Sequence, residues 1–216
     1  MDLADQKRAE KMRARLERGD HDCALFRGEL LQASPLSRDA WLDCALGLTE
    51  VAEDGPSLPA GCVPYLPCSV DALLRVADAV SLNAGDVVVD VGCGVGRAAA
   101  FFHLVSGAAV VGIEIQPALF ESARSLSERA HLKRASWVEG NAANLLGHFT
   151  NATLFFLYCP FSGERLTQAL EGIKSIARQR AVYVACVDLP LPPCAWLSAQ
   201  PGTERDIAIY RSVLPE

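Results

Sequence analysis

From Asp86 onward the chain alternates between two kinds of pattern. Short apolar runs, "DVVVDVG", "AAVVGIEI", "ASWVEGN", "TLFFLYCP", "AVYVACVDL" and "DIAIYRSVL", fill 86–92, 108–115, 135–141, 153–160, 181–189 and 206–214. Between them lie segments of helical periodicity at 97–106, 117–130, a short piece near 143–148, and 163–178. Strands that are apolar on both faces, joined through amphipathic helices, predict an α/β fold with a mostly parallel, doubly wound sheet covered on both sides. The segment "LPLPPCAWLSAQPGTER" has no room for a long crossover helix before the last run. That run is therefore predicted to lie antiparallel.

The part before this alternation reads differently. Residues 2–18 predict a helix with charge on every face, solvated or packed on a partner. Leu25, Phe26, Leu30 and Leu31, then Trp41, Leu42, Ala45 and Leu46, predict two short helices on either side of "SPLS". The proline- and glycine-rich "EDGPSLPAGCVPYLPCS" reads as a linker or lid. Ser69 is placed to cap the next helix, with Asp71 in its first turn. The expected division is a helical cap and linker over 1–62 and the α/β domain over 63–216.

Composition narrows the function classes. A net charge of −6 argues against a general nucleic-acid binder. No run of eighteen apolar residues suggests a membrane span. The charged N-terminus lacks the apolar core of a secretory signal, so a cytoplasmic location is expected. Eight cysteines without a CxxC pair read as reduced thiols and not as a metal site or disulfide framework. His103, His131 and His148 read as surface or packing residues.

The first strand runs into Gly92-Cys93-Gly94-Val95-Gly96. Such a loop lets a ligand approach the backbone, and the following helix offers free N–H groups. The dinucleotide fingerprint needs G-x-G-x-x-G, yet Arg97 stands at the sixth position. Asp90, at the strand tip, would repel a pyrophosphate and attract an ammonium; its alternative role is to cap the helix. Glu114 ends the next strand, where a carboxylate can accept from ribose hydroxyls. Asn141, after the third strand, is placed to read an adenine edge while the Ala142 N–H reaches the ring; the alternative is a plain turn residue. A ligand with adenosine, an ammonium and no phosphate is S-adenosylmethionine.

Taken in order, "VVVDVGCGVG", "GIEI", "VEGNA" and "LFFLYCPF" resemble the class I S-adenosylmethionine-dependent methyltransferases over about residues 63–215. The resemblance implies a Rossmann-like methyltransferase fold of seven strands, the seventh antiparallel, here with a helical N-terminal extension. Segments 63–97 and 151–166 are similar to bacterial methyltransferases distantly related to the disruptor-of-telomeric-silencing class of histone lysine methyltransferases. That likeness implies that Tyr65, Pro67 and Ser69 line the methionyl end of the donor site. The donor set is then Tyr65, Ser69, Asp90, Gly92, Cys93, Gly94, Gly96, Glu114, Ile115, Asn141 and Ala142. A lysine-rich tail for nucleosome binding is not seen in the sequence.

Methyl transfer from a sulfonium is an in-line displacement, so the protein mainly positions the reactants. The fourth strand's tip reads Tyr158-Cys159-Pro160-Phe161, where amine- and base-methylating relatives often carry Asn or Asp, then Pro-Pro and an aromatic. Cys159 replaces that polar acceptor, which disfavours nucleobase and amide methylation; backbone carbonyls remain to accept from an amine. Tyr158 or Phe161 could wall the site and attract a cationic amine, or simply pack in the core or lid. Cys159 has no cationic neighbour in sequence to activate it as a nucleophile. Asp188, after the fifth strand, is the candidate general base. The expected acceptor is a protein lysine or a small molecule, with no role for nucleic acid, membrane or metal. The alternatives are a non-catalytic cofactor-binding regulatory protein of this fold and a nucleotide-dependent oxidoreductase.

Overall fold

The computed structural model describes residues 1–49, 54–55, 58–201, 203 and 206–213. Part of the expected linker, at 53 and 56–57, lies outside them. Seven strands form one sheet in the order β3-β2-β1-β4-β5-β7-β6. They are β1 (Val87–Val91), β2 (Ala109–Glu114), β3 (Ala135–Glu139), β4 (Leu154–Tyr158), β5 (Tyr183–Val187), β6 (Leu197–Ala199) and β7 (Ile207–Ser212). The first five pair in parallel, and β7 runs antiparallel to both β5 and β6. The sheet is thus mixed, with its antiparallel strand where the chain lacks room for a crossover helix. β6 escapes the sequence reading because three residues show no period, and its pairing with β7 alone defines it.

Strand side chains alternate between two cores, as the pleat requires. Val88, Leu154 and Phe156 face one cluster, and Val89, Val91, Phe155 and Leu157 face the other. The second cluster is covered by α7 (Ala142–Leu145) and α8 (Gly163–Ala177). The first receives α4 (Val70–Ala79) and α5 (Arg97–Ser106), and Leu126 of α6 (Pro117–Arg129). Phe102 of α5 meets Phe156 edge to face at 5.1 Å.

The N-terminal helices join that first core. They are α1 (Leu3–Leu16), α2 (Cys23–Gln32) and α3 (Arg38–Leu46). α1 turns Ala9, Met12 and Leu16 inward, a buried stripe at helical spacing. It is therefore packed within the chain on that side and solvated on the others, although charges surround it in sequence. Phe26 and Trp41 pack edge to face at 5.6 Å, both fully buried. One continuous cluster runs from Ala9 to Ile209. All eight cysteines are free thiols. Among the described residues, no helix is long and apolar enough to cross a membrane.

Candidate active site

The strand order reverses between β2-β1 and β4-β5, and the crevice beyond the strand tips is where such sheets bind ligands. β1 feeds the glycine loop there. The Gly92 and Cys93 amides both donate to the Ile113 carbonyl, which folds the loop over β2. Gly94 has φ +55°, and the Tyr65 ring lies so close above it that a Cβ would collide. Gly96, at φ +80°, precedes α5 without a side chain to cap it.

Asp90 supplies that cap. Its Oδ2 accepts from the Ala99 amide at 3.1 Å, so the capping alternative is realised. The same carboxylate lines a narrow cavity with Tyr65, Pro67, Cys68, Cys93 and Tyr158, which keeps it on the ligand side. Burial raises its pKa to about 7 against the pull of the Ala99 amide, and Glu114 adds to the rise.

Glu114 is held by three backbone amides. Oε1 accepts from Ile115 and Gln116, and Oε2 from Gly94, each at 2.8 Å. Burial still raises its pKa, against those amides and with help from Asp54. The bonds orient the carboxylate, and Oε2 keeps acceptor capacity for a ligand hydroxyl.

The main cleft brings most of the expected residues together. Tyr65, Gly92, Glu114, Ile115, Asn141, Ala142, Tyr158, Cys159 and Phe161 all line it. Asn141 uses its side-chain oxygen to cap α7, accepting from Ala143 at 3.1 Å, so its NH₂ group is what remains for a ligand. Cys93, like Asp90, lines the narrower cavity only. Gly94 and Gly96 line neither, being covered by Tyr65 and Trp137. Ser69 also lines neither: its hydroxyl accepts from Ala72 and caps α4. Asp188 stands exposed at the β5 tip, outside both cavities, at φ +50°.

Cys159 is itself at φ +33°. Burial and then Asp188 raise its thiol pKa, the opposite of nucleophile activation. Phe161 is buried in the second core and pairs across an isolated bridge with Cys62.

The described residues of the segment 54–66 form a strap at the cleft, tied on two sides. On the β2 side Gln116 accepts from Gly55 and donates to Asp54, each at 2.7 Å, and Asp54 accepts from the Tyr65 amide. On the β4 side Val63 donates to the Pro160 carbonyl, and Arg165 donates to that of Ala60. Sequence reasoning missed Asp54, Gln116 and Trp137, and noted Arg97 only as the residue that breaks the dinucleotide fingerprint, not for its partners. Nothing local marks them, because their partners are far away in the chain.

Residues 88–180 match the family model of a methyltransferase domain. The chain is similar to an RNA methyltransferase from Salinibacter ruber, solved with S-adenosyl-L-homocysteine. The two share 24% identity over 70% of this chain and 95% of that one, with a TM-score of 0.54. The fold is that of a class I methyltransferase. A methyltransferase from Geobacter sulfurreducens is similar at 18% identity, covering 71% of this chain and 82% of that one, with a TM-score of 0.55. A protein assigned as a caffeoyl-CoA O-methyltransferase from Staphylococcus aureus is similar at 11% identity, over 88% and 98% of the two chains, with a TM-score of 0.56. No curated protein matches the sequence. The domain match and the fold both support S-adenosylmethionine as the cofactor.

Proposed function

We propose that this protein transfers the methyl group of S-adenosylmethionine to a small-molecule or protein acceptor, with the donor lying beneath the strap. One observation carries the reading: two buried carboxylates, Asp90 and Glu114, flank the glycine loop on the paired strands β1 and β2. Glu114 would receive the ribose hydroxyls, Asp90 the ammonium, and Asn141 with Ala142 the adenine. A pyrophosphate would meet two acids. The cation beside the narrower cavity, Arg97, is already paired with Asp39 and Asp43.

The protein's share of the chemistry is alignment and exclusion of water. Tyr65 and the strap cover the methionyl end, and Tyr158 and Cys159 face the cleft from the β4 tip. Their backbone carbonyls are the acceptors left to orient an amine. Asp188 can serve as general base only for an acceptor that approaches from the β5 side.

Solved proteins of this fold include one named for RNA and one assigned to a coenzyme A ester. Among the described residues no lysine or arginine lines the main cleft, and Val63 and Leu66 at its rim are exposed. This favours an uncharged or amine-bearing acceptor, with a protein lysine or a small molecule as the candidates, over a phosphate backbone. The likeness of 63–97 and 151–166 to the disruptor-of-telomeric-silencing class supports the lysine. The absence of a polar side chain at Cys159 favours a second reading, a non-catalytic cofactor-binding regulator; measurable turnover of the donor with any acceptor excludes it.

Calorimetric titration tests the donor site. S-adenosylmethionine and S-adenosylhomocysteine should bind in the micromolar range and NAD should not. Glu114→Ala should weaken both by about tenfold or more through the charge-assisted bonds lost. Unchanged affinity in a folded Glu114→Ala variant would sink this placement.

A further inference from the structure

Arg97 occupies the loop position where a dinucleotide fold would have glycine, and it opens α5. It is 3% exposed. All three of its guanidinium nitrogens donate. Nε donates to Asp43 at 2.6 Å, one terminal nitrogen donates to the Cys68 carbonyl at 2.6 Å, and the other to Asp39 at 2.9 Å. Asp39 also accepts from the Val70 amide at 2.9 Å, at the start of α4. Both acids belong to α3, in the N-terminal extension. One side chain thus joins α3, the glycine loop and the segment running from Tyr65 to Cys68.

That segment is the outer wall of the donor cleft. The Tyr65 ring rests on Gly94, and Leu66, Pro67 and Cys68 close the cavity that Asp90 faces. The fork geometry matters here. A lysine at 97 would keep the charge but could not reach two carboxylates and a carbonyl in one plane.

We propose that Arg97 is a positioning residue: held by Asp39 and Asp43, it fixes the Tyr65–Cys68 segment over the methionyl end, so that the N-terminal extension sets donor affinity without touching the donor. This rests on the donor site argued above.

The test is calorimetric titration of S-adenosylhomocysteine into wild type, Arg97→Lys, Asp43→Asn, the double variant and Leu30→Ala, each checked by thermal unfolding. Leu30 is buried in α2 and makes no bond to this network, so it controls for general loss of stability. Arg97→Lys should weaken binding at least about tenfold and Asp43→Asn several-fold, with the double variant weaker by less than the product. Leu30→Ala should lower the unfolding midpoint and leave affinity within about twofold of wild type. If Arg97→Lys does not fold, Asp43→Asn carries the test, because it leaves the Arg97–Asp39 pair in place. Folded variants that bind like wild type overturn the proposal. So does a Leu30→Ala variant that loses as much affinity at the same loss of stability. A wild-type protein that binds no S-adenosylhomocysteine overturns the donor reading and this inference with it; a wild type that binds while the variants also bind overturns the coupling alone.

Discussion

Asp90 does two things with one carboxylate: it caps α5 and lines the narrower cavity. Folding raises its pKa to about 7, chiefly by burial. Between about pH 4 and pH 7 the folded chain keeps a proton that the unfolded chain has released. Stability from this group is therefore present at the acidic end and lost as pH rises toward 7, on the order of 1.4 kcal/mol per pH unit. Glu114 is shifted in the same direction, also by burial first. A donor ammonium favours the ionised form of Asp90, so binding near pH 6 should release a proton. Titrating S-adenosylhomocysteine in two buffers of different ionisation enthalpy measures that release. Asp90→Asn should abolish it, and an unchanged proton count in that variant would place the ammonium elsewhere.

Helix termini show how far local reading reaches. Ser69 was legible as an N-cap because the hydroxyl and the orphan amides are neighbours in the chain. Its second expected role, at the methionyl end, came from family likeness; its oxygen accepts from Ala72 to cap α4, and Ser69 lines neither cavity. Ser69→Ala should therefore cost about 1 kcal/mol of stability and leave S-adenosylhomocysteine affinity unchanged. Denaturant unfolding and calorimetry check the two halves separately, and a lost affinity would restore the donor role. α5 is the converse case. Its cap, Asp90, stands nine residues upstream in another element; the sequence offered that role as one of two, and strand–loop–helix geometry decides for it. The short β6 was illegible for a similar reason, since a three-residue edge strand is defined by its partner.

The N-terminal extension and the sheet behave as one body. Phe26, Trp41 and Leu42 share their buried cluster with Phe101, Phe102 and Phe156. Each such side chain contributes ~1.5–3 kcal/mol by leaving water, so the extension is a large part of a stability that is usually only about 5–15 kcal/mol. Deleting residues 1–46 should leave a chain that binds a hydrophobic dye and loses cooperative thermal unfolding. A truncated chain that unfolds cooperatively and still binds S-adenosylhomocysteine would show that the extension is dispensable to the fold.

By itself the sequence determined the alternation of strands and helices, the antiparallel strand at Ile207–Ser212, and the acids and glycines clustered at the tips of β1 and β2. These follow from periodicity, chain stiffness and the conformational freedom of glycine, all of which act over a few residues. Only the tertiary structure decided which groups meet. Arg97 reaches back 54 residues to Asp43 and 58 to Asp39, and Gln116 reaches back 62 to Asp54. Tyr65 comes to rest on Gly94, and Asp188 stays outside the cleft that its position in the chain suggested. Burial and long-range hydrogen bonding are properties of the packed chain, and no spacing of residue types encodes them.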